Sequence, residues 1–113
     1  MNMKSKISTH NDTEIAKNDF VNFKGASVLW PPECSDDCLE YAIGKARTLK
    51  VDYNVDDEGL KISEELKKAM DEKYQPYWHV ICGRNFGCYA IHESNCFIFF
   101  TLGGISFLLY KAG

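Results

Sequence analysis

Five cysteines and three histidines are the side chains in this sequence with chemistry beyond packing, and the set that matters runs Cys34, Cys38, His79, Cys82, Cys88, His92 and Cys96. A structural zinc site needs four converging ligands, usually in tight Cys-x-x-Cys pairs, and the spacing here is looser. On a strand, His79 and Cys82 would also point to opposite faces. A Cys–His nucleophile needs a thiol acidified by a cationic neighbour, and Cys88 near Arg84 or His92 is the one candidate. These residues define one reading, a thiol-redox or metal-binding protein using Cys82, Cys88 and His92. Buried, inert thiols, with Cys88 a small residue lining a binding surface, fit the spacing better. No catalytic residue, metal or cofactor is therefore expected, and the chain reads as a binding protein that is not an enzyme.

The elements that must position these residues follow from composition and period. At 113 residues, 45% apolar and 26% charged, the chain has the balance of one soluble domain. A net charge of −3 with no Lys/Arg stripe removes the electrostatic basis for nucleic-acid binding. The start, Met1 to Lys6, carries basic residues but no apolar segment follows, and residue 2 is not the glycine that myristoylation requires. An intracellular, reducing setting is expected, in which an odd set of thiols stays reduced. Residues 1–24 are polar without sustained period and read as a disordered extension, leaving 25–113 as the folded domain. Phe20 and Phe23 are the exceptions in that extension, placed either to dock locally or to act as a short recognition segment.

Ser27 to Trp30 is a short strand candidate ended by Pro31-Pro32. Ser35 suits a helix N-cap, Asp36 and Asp37 suit the positive end of the helix dipole, and Cys38, Leu39, Ala42, Ile43, Ala46 and Leu49 recur at helical spacing over residues 36–51. A second helix is predicted from about Asp57 to Tyr74, with Ile62, Leu66, Ala69 and Met70 inward, Glu64 and Lys68 paired outward, and Pro76 marking its exit. From Trp78 the period becomes 2, and glycine or polar breaks divide the remainder into strands at about 78–83, 86–91, 96–102 and 105–111. Gly103-Gly104 suits a two-residue hairpin turn. The uncharged run from Ser94 to Tyr110 approaches the length of a membrane helix, but its central glycines, its β-branched and aromatic content and the absence of a basic flank favour a hairpin.

On the last two of these strands neither face is polar. Cys96, Ile98, Phe100 and Leu102 alternate with Phe97 and Phe99, and Ile105, Phe107 and Leu109 alternate with Leu108 and Tyr110. Two helices cover one face, which leaves the second with no cover inside the chain. About six large side chains exposed there, at ~1.5–3 kcal/mol each, would forfeit on the order of 10 kcal/mol, comparable with the whole stability of a domain. A two-fold dimer that buries the same patch on both copies is the simplest remedy. A monomer folding its N-terminal extension over the sheet is the alternative.

The run Lys73-Tyr74-Gln75-Pro76-Tyr77-Trp78-His79-Val80-Ile81-Cys82-Gly83-Arg84-Asn85-Phe86-Gly87 resembles the small, roughly eight-kilodalton dynein light chains, as do His92-Glu93, Phe97-Ile98, Leu102-Gly103 and the ending Leu108 to Gly113. The resemblance covers about residues 27–113. It implies an α+β fold of two helices packed on a five-stranded antiparallel sheet, in a strand-exchanged homodimer where residues 86–91 cross to the partner's sheet. It also implies a hub or accessory subunit of a cytoplasmic or axonemal dynein motor. The expected location is the cytoplasm and the microtubule cytoskeleton, and the expected partners are a second copy, the dynein intermediate chain and other clients with Thr-Gln-Thr-like motifs. Neither nucleic acid nor membrane insertion is expected.

Clients of such proteins add as an extra strand, in two grooves at the dimer interface, where backbone bonds give affinity and side-chain pockets give specificity. By position, Arg84 and Asn85 would precede the groove, Gly87, Cys88, Tyr89, Ala90, Ile91 and His92 would supply its edge, and Phe86, Phe97, Phe99, Thr101, Ser106 and Leu108 its walls. The dimer seam would include His79, Phe86, Cys88, Tyr89 and Ile91, and burial of His79 at that seam would disfavour its charged form. The other reading of His79 is a core histidine satisfied by a backbone group. The chain departs from the family pattern at Cys88 for serine, Ile91 for threonine and Thr101 for tyrosine, and around Asp57 to Lys61, where the pair that holds a client glutamine is altered by a short insertion. A divergent subunit dedicated to one partner is the alternative these departures raise.

Overall fold

The computed structural model describes residues 20–84 and 95–111. In chain order these form β1 (Phe20–Phe23), β2 (Ala26–Leu29), α1 (Asp36–Asp52), α2 (Val55–Tyr74), β3 (Trp78–Arg84), β4 (Asn95–Leu102) and β5 (Ile105–Lys111). The strands make one antiparallel sheet in the order β1-β2-β4-β5-β3, and the two helices pack on one of its faces. The expected α+β architecture is thus present in one chain, with five strands.

The fifth strand is not among those expected. β1 lies inside the segment read as a disordered extension, and it pairs with β2 from Phe20↔Leu29 to Phe23↔Ala26. Lys24 and Gly25 both hold positive φ, at 52° and 85°, the conformation of a two-residue primed turn. The Arg47 guanidinium donates to the Lys24 carbonyl at 2.7 Å, which fastens this turn to α1. The segment 86–91, read as a strand that crosses to a partner, lies outside the described residues.

α1 begins where the capping chemistry puts it. The Ser35 hydroxyl accepts from the Cys38 amide at 3.1 Å, and the six buried residues are those of the predicted stripe. α2 starts two residues before the predicted Asp57, because Asn54 caps it: its side chain accepts from the amides of Asp56 (2.8 Å) and Asp57 (3.2 Å), while the Asn54 amide donates to Glu58 at 2.9 Å. Glu58 then leaves helical geometry (φ −125°, ψ 26°), so the first turn is set off from the regular helix beyond it. Ile62, Leu66, Ala69 and Met70 are buried as predicted, while the i,i+4 pairs fall at Lys61–Glu65 and Lys67–Asp71 rather than at Glu64–Lys68.

Within the uncharged run, β4 and β5 form a hairpin, turned by Gly103 (φ 53°) and Gly104 (φ 83°) with Leu102 opposite Ile105. Among the described residues no helix is long and apolar enough to cross a membrane. Between sheet and helices lies the main core, with Trp78, Ile98, Phe100, Phe107 and Leu109 meeting Leu39, Ile43, Ile62, Leu66 and Met70. Phe100 and Phe107 stack at 5.3 Å. The far face of the sheet carries a second apolar cluster of Leu29, Phe97, Phe99 and Leu108, against which Phe20 and Tyr110 pack. These four are at most 5% exposed in the single chain. The expectation that this face has no cover within one chain is therefore corrected for its β2–β4–β5 part.

Candidate functional site

Alternation along the strands organises the helix-distal face into rows. One row is bulky: Phe20 lies opposite Leu29, Phe99 opposite Leu108, and Ile81 opposite Leu108 on the other side. The next row is small and polar: Asn22 faces Ser27, Ser27 faces Thr101, Thr101 faces Ser106, and Ser106 faces Gly83. His79 and Tyr110 are opposed beyond the bulky row, and their rings stack at 5.1 Å.

Cover on this face is uneven. Phe20 meets Phe99 edge-to-face at 6.2 Å near the β1 end. At the β3 end Ile81 is 45% exposed, and His79 is exposed as well. The core-histidine reading of His79 is thereby excluded. β3 pairs only with β5, so among the described residues its outer edge carries no strand.

The helix-facing residues of β3 hold the strand to α2. Cys82 accepts from the Ser63 hydroxyl at 3.5 Å and donates to the Gly59 carbonyl at 3.4 Å. Arg84 forms an exposed pair with Asp56 at 2.8 Å, and the hydrogen bond and charge of Arg84 hold the Asp56 carboxyl below its usual range. At the other end of β3, Asp71 accepts from the Trp78 amide at 2.7 Å and from Lys67. Burial alone would push the Asp71 carboxyl up; the Lys67 and Trp78 hydrogen bonds outweigh it and keep it lowered. Nearby, burial together with the charge of Asp37 pushes the Tyr74 hydroxyl up to about 12.

Of the expected groove residues, the structure brings together Phe97, Phe99, Thr101, Ser106 and Leu108 on the helix-distal face. Arg84 stands apart from them: strand alternation turns it to the helix side, where Asp56 holds it. Asn85, Phe86, Gly87, Cys88, Tyr89, Ala90, Ile91 and His92 lie outside the described residues, as do the seam residues Phe86, Cys88, Tyr89 and Ile91. Sequence reasoning missed Phe20, Leu29 and Ile81 as members of this face; their period-2 neighbours were the available signal, but the strand order that aligns them was not. Among the described residues no group of three or more His, Cys, Asp or Glu side chains could hold a metal ion.

The family model for dynein light chain type 1 matches residues 26–112. The chain belongs to the dynein light chain type 1 family. Its fold is also that of the dynein light chain-like domain of the Fasciola hepatica calcium binding protein FhCaBP2. A mercury derivative of that domain superposes with a TM-score of 0.70 at 20% identity, covering 80% of this chain and 95% of the other. The native form gives 0.70 at 18% identity, covering 87% and 97%. Dynein light chains are in general non-enzymatic, associate with dynein and bind client proteins. β1 precedes the matched segment, so in this dynein light chain the strand on which Phe20 stands is an addition to the part the family model describes.

Proposed function

We propose that the protein is a non-enzymatic dimeric adaptor, a light chain of a microtubule motor that gathers client segments by strand addition. The observation that carries this reading is the outer edge of β3, unpaired among the described residues, beside the exposed His79 and Ile81. An edge strand offers unpaired amides and carbonyls to any extended chain of matching register. Residues 86–91 of a second copy would pair there and in turn offer their own outer edge, Gly87 to His92, to a client. The small polar row ending at Thr101 and Ser106 and the bulky side chains of Phe97, Phe99 and Leu108 would form the pocket floor. Two grooves per dimer raise the effective concentration of paired clients, so that weak single contacts become a stable pair.

The test is isothermal titration of a Thr-Gln-Thr-containing peptide into protein whose mass is fixed by light scattering. The expected result is a dimer with one peptide site per chain. A monomer would refute strand exchange. A dimer that ignores this peptide but takes one sequence from a diverse panel would instead identify the dedicated, single-partner subunit, the outcome favoured by the departures from the family pattern at Cys88, Ile91 and Thr101.

A further inference from the structure

On the helix side of the molecule, the first turns of α1 meet the end of α2 in a cleft of about 310 Å³ lined by Asp37, Glu40, Tyr41, Lys73 and Tyr74. Spacing builds it. Asp37 is followed at three and four residues by Glu40 and Tyr41, so the three share one face of α1, and Lys73 and Tyr74 close α2. Tyr41 and Tyr74 are half-buried and pack against the main core. Their rings meet edge-to-face at 5.8 Å, with 67° between the planes. The Tyr74 hydroxyl donates to the Asp37 carboxylate at 3.3 Å, and the Tyr74 carbonyl accepts from Lys111 at 3.4 Å, which ties this residue at both ends.

The cleft already holds a cation. The Lys73 ammonium lies 5.1 Å from the ring centre of Tyr41 and 5.6 Å from that of Tyr74, within cation–π range of both. Lys73 is exposed and stands on a flexible stem, so it fills the site without closing it.

We propose that Tyr41, Tyr74 and Asp37 form a receptor for a methylated lysine side chain of a partner protein, with Lys73 as its built-in competitor. Methylation is what lets an outside cation displace Lys73. A plain ammonium is compact and strongly hydrated. Methyl groups replace its bound water with apolar surface while the positive charge remains, and both rings gain from the exchange. A choline lipid headgroup carries a similar cation, but its phosphate would meet the like charges of Asp37 and Glu40. Glu40 also lies 3.7 Å from Lys24 on the β1–β2 turn, so Asp37 is the carboxylate assigned to the ligand. The Tyr74 hydroxyl, pushed up to about 12, stays protonated at neutral pH and keeps its hydrogen bond to Asp37. No residue of this cleft belongs to the proposed client groove, so the receptor stands or falls independently of strand addition.

The experiment titrates the full chain with the acetylated methyl amide of trimethyllysine and follows the N-methyl proton resonance by NMR. That resonance is expected to move upfield, as the methyl groups come to lie over the ring faces, and to saturate. The unmodified lysine amide and the neutral tert-butyl isostere should bind more weakly. Lys73→Ala should tighten binding by about threefold or more, because it frees the fraction of sites that Lys73 occupies. Tyr41→Leu, which keeps bulk at a half-buried position, should weaken it by about fivefold or more. Lys73→Ala alters an exposed residue and so preserves the test should Tyr41→Leu fold poorly. An unmoved methyl resonance, equal binding of the neutral isostere or the unmodified amide, no gain in Lys73→Ala, or capture of the protein by phosphatidylcholine vesicles would each overturn the proposal.

Discussion

At the β1 end of the sheet, Phe20 stands edge-to-face on Phe99 and the helix-distal surface is closed within one chain. At the β3 end of the same surface, His79 and Ile81 remain exposed beside an edge without a neighbouring strand among the described residues. The two ends are built from the same kind of alternating strand, so period does not distinguish them. The neighbour does. β2 has β1 on its outer side, turned back by Lys24-Gly25 and pinned by Arg47, whereas among the described residues β3 has no strand in that position. An apolar sheet face therefore calls for a second chain only at the end where the described part of its own chain supplies no strand.

The largest expected effect sets the baseline for this contrast. Phe107→Ala, beneath the helices, should cost about 3–5 kcal/mol in urea unfolding, since it empties a fully buried site. Loss of less than about 1 kcal/mol would mean that the main core does not lie where the helices cover the sheet. At the open end, Ile81→Lys should weaken self-association at least about tenfold, roughly 1.4 kcal/mol, with helical circular dichroism unchanged. Sedimentation equilibrium would read this directly, and an unaltered dimer constant would remove the β3 end from the interface.

At the closed end, Phe20→Ala should cost about 1 kcal/mol, less than Phe107→Ala because Phe20 is only half-buried. Equal losses for the two variants would show the hairpin to be as integral as the core. The smallest effect concerns the anchor of β3. The Asp71 carboxyl is lowered from its ordinary 3.8 in the folded chain, so its stabilisation is present above 3.8 and is lost as pH falls through the folded value. Wild type and Asp71→Asn should thus differ by about 1 kcal/mol at pH 7 and converge in acid. A pH-independent difference would mean that the charge contributes nothing.

Much of the architecture was legible because single residues commit it. Ser35 with Asp36 and Asp37 starts α1, the stripe from Cys38 to Leu49 sets its buried face, and Gly103-Gly104 turns the β4–β5 hairpin. β1 was not legible, since four residues give period 2 too little length and its turn places a lysine, not a glycine, at one of the two positive-φ positions. The start of α2 was displaced because the acidic run Asp56 to Glu58 conceals both the Asn54 cap and the break at Glu58. On the candidate site, alternation correctly united Phe97 with Phe99 and Leu108 with Ser106. It also turns Arg84 away from them, a consequence that recognition of the family motif alone did not draw. The closure of the surface by Phe20 depends on β2 lying beside β4, a long-range pairing that leaves no local trace.

The bulky and small rows that cross the helix-distal face lie two residues apart, about 7 Å along the strands. They make a ridge and a trough, and together these act as a ruler for whatever settles on the sheet. A chain or second sheet displaced by one residue presents its opposite set of side chains; displaced by two, it sets its bulk on the ridge and leaves the trough empty. Alignment on this surface is thereby fixed by relief, before any specific polar contact is made.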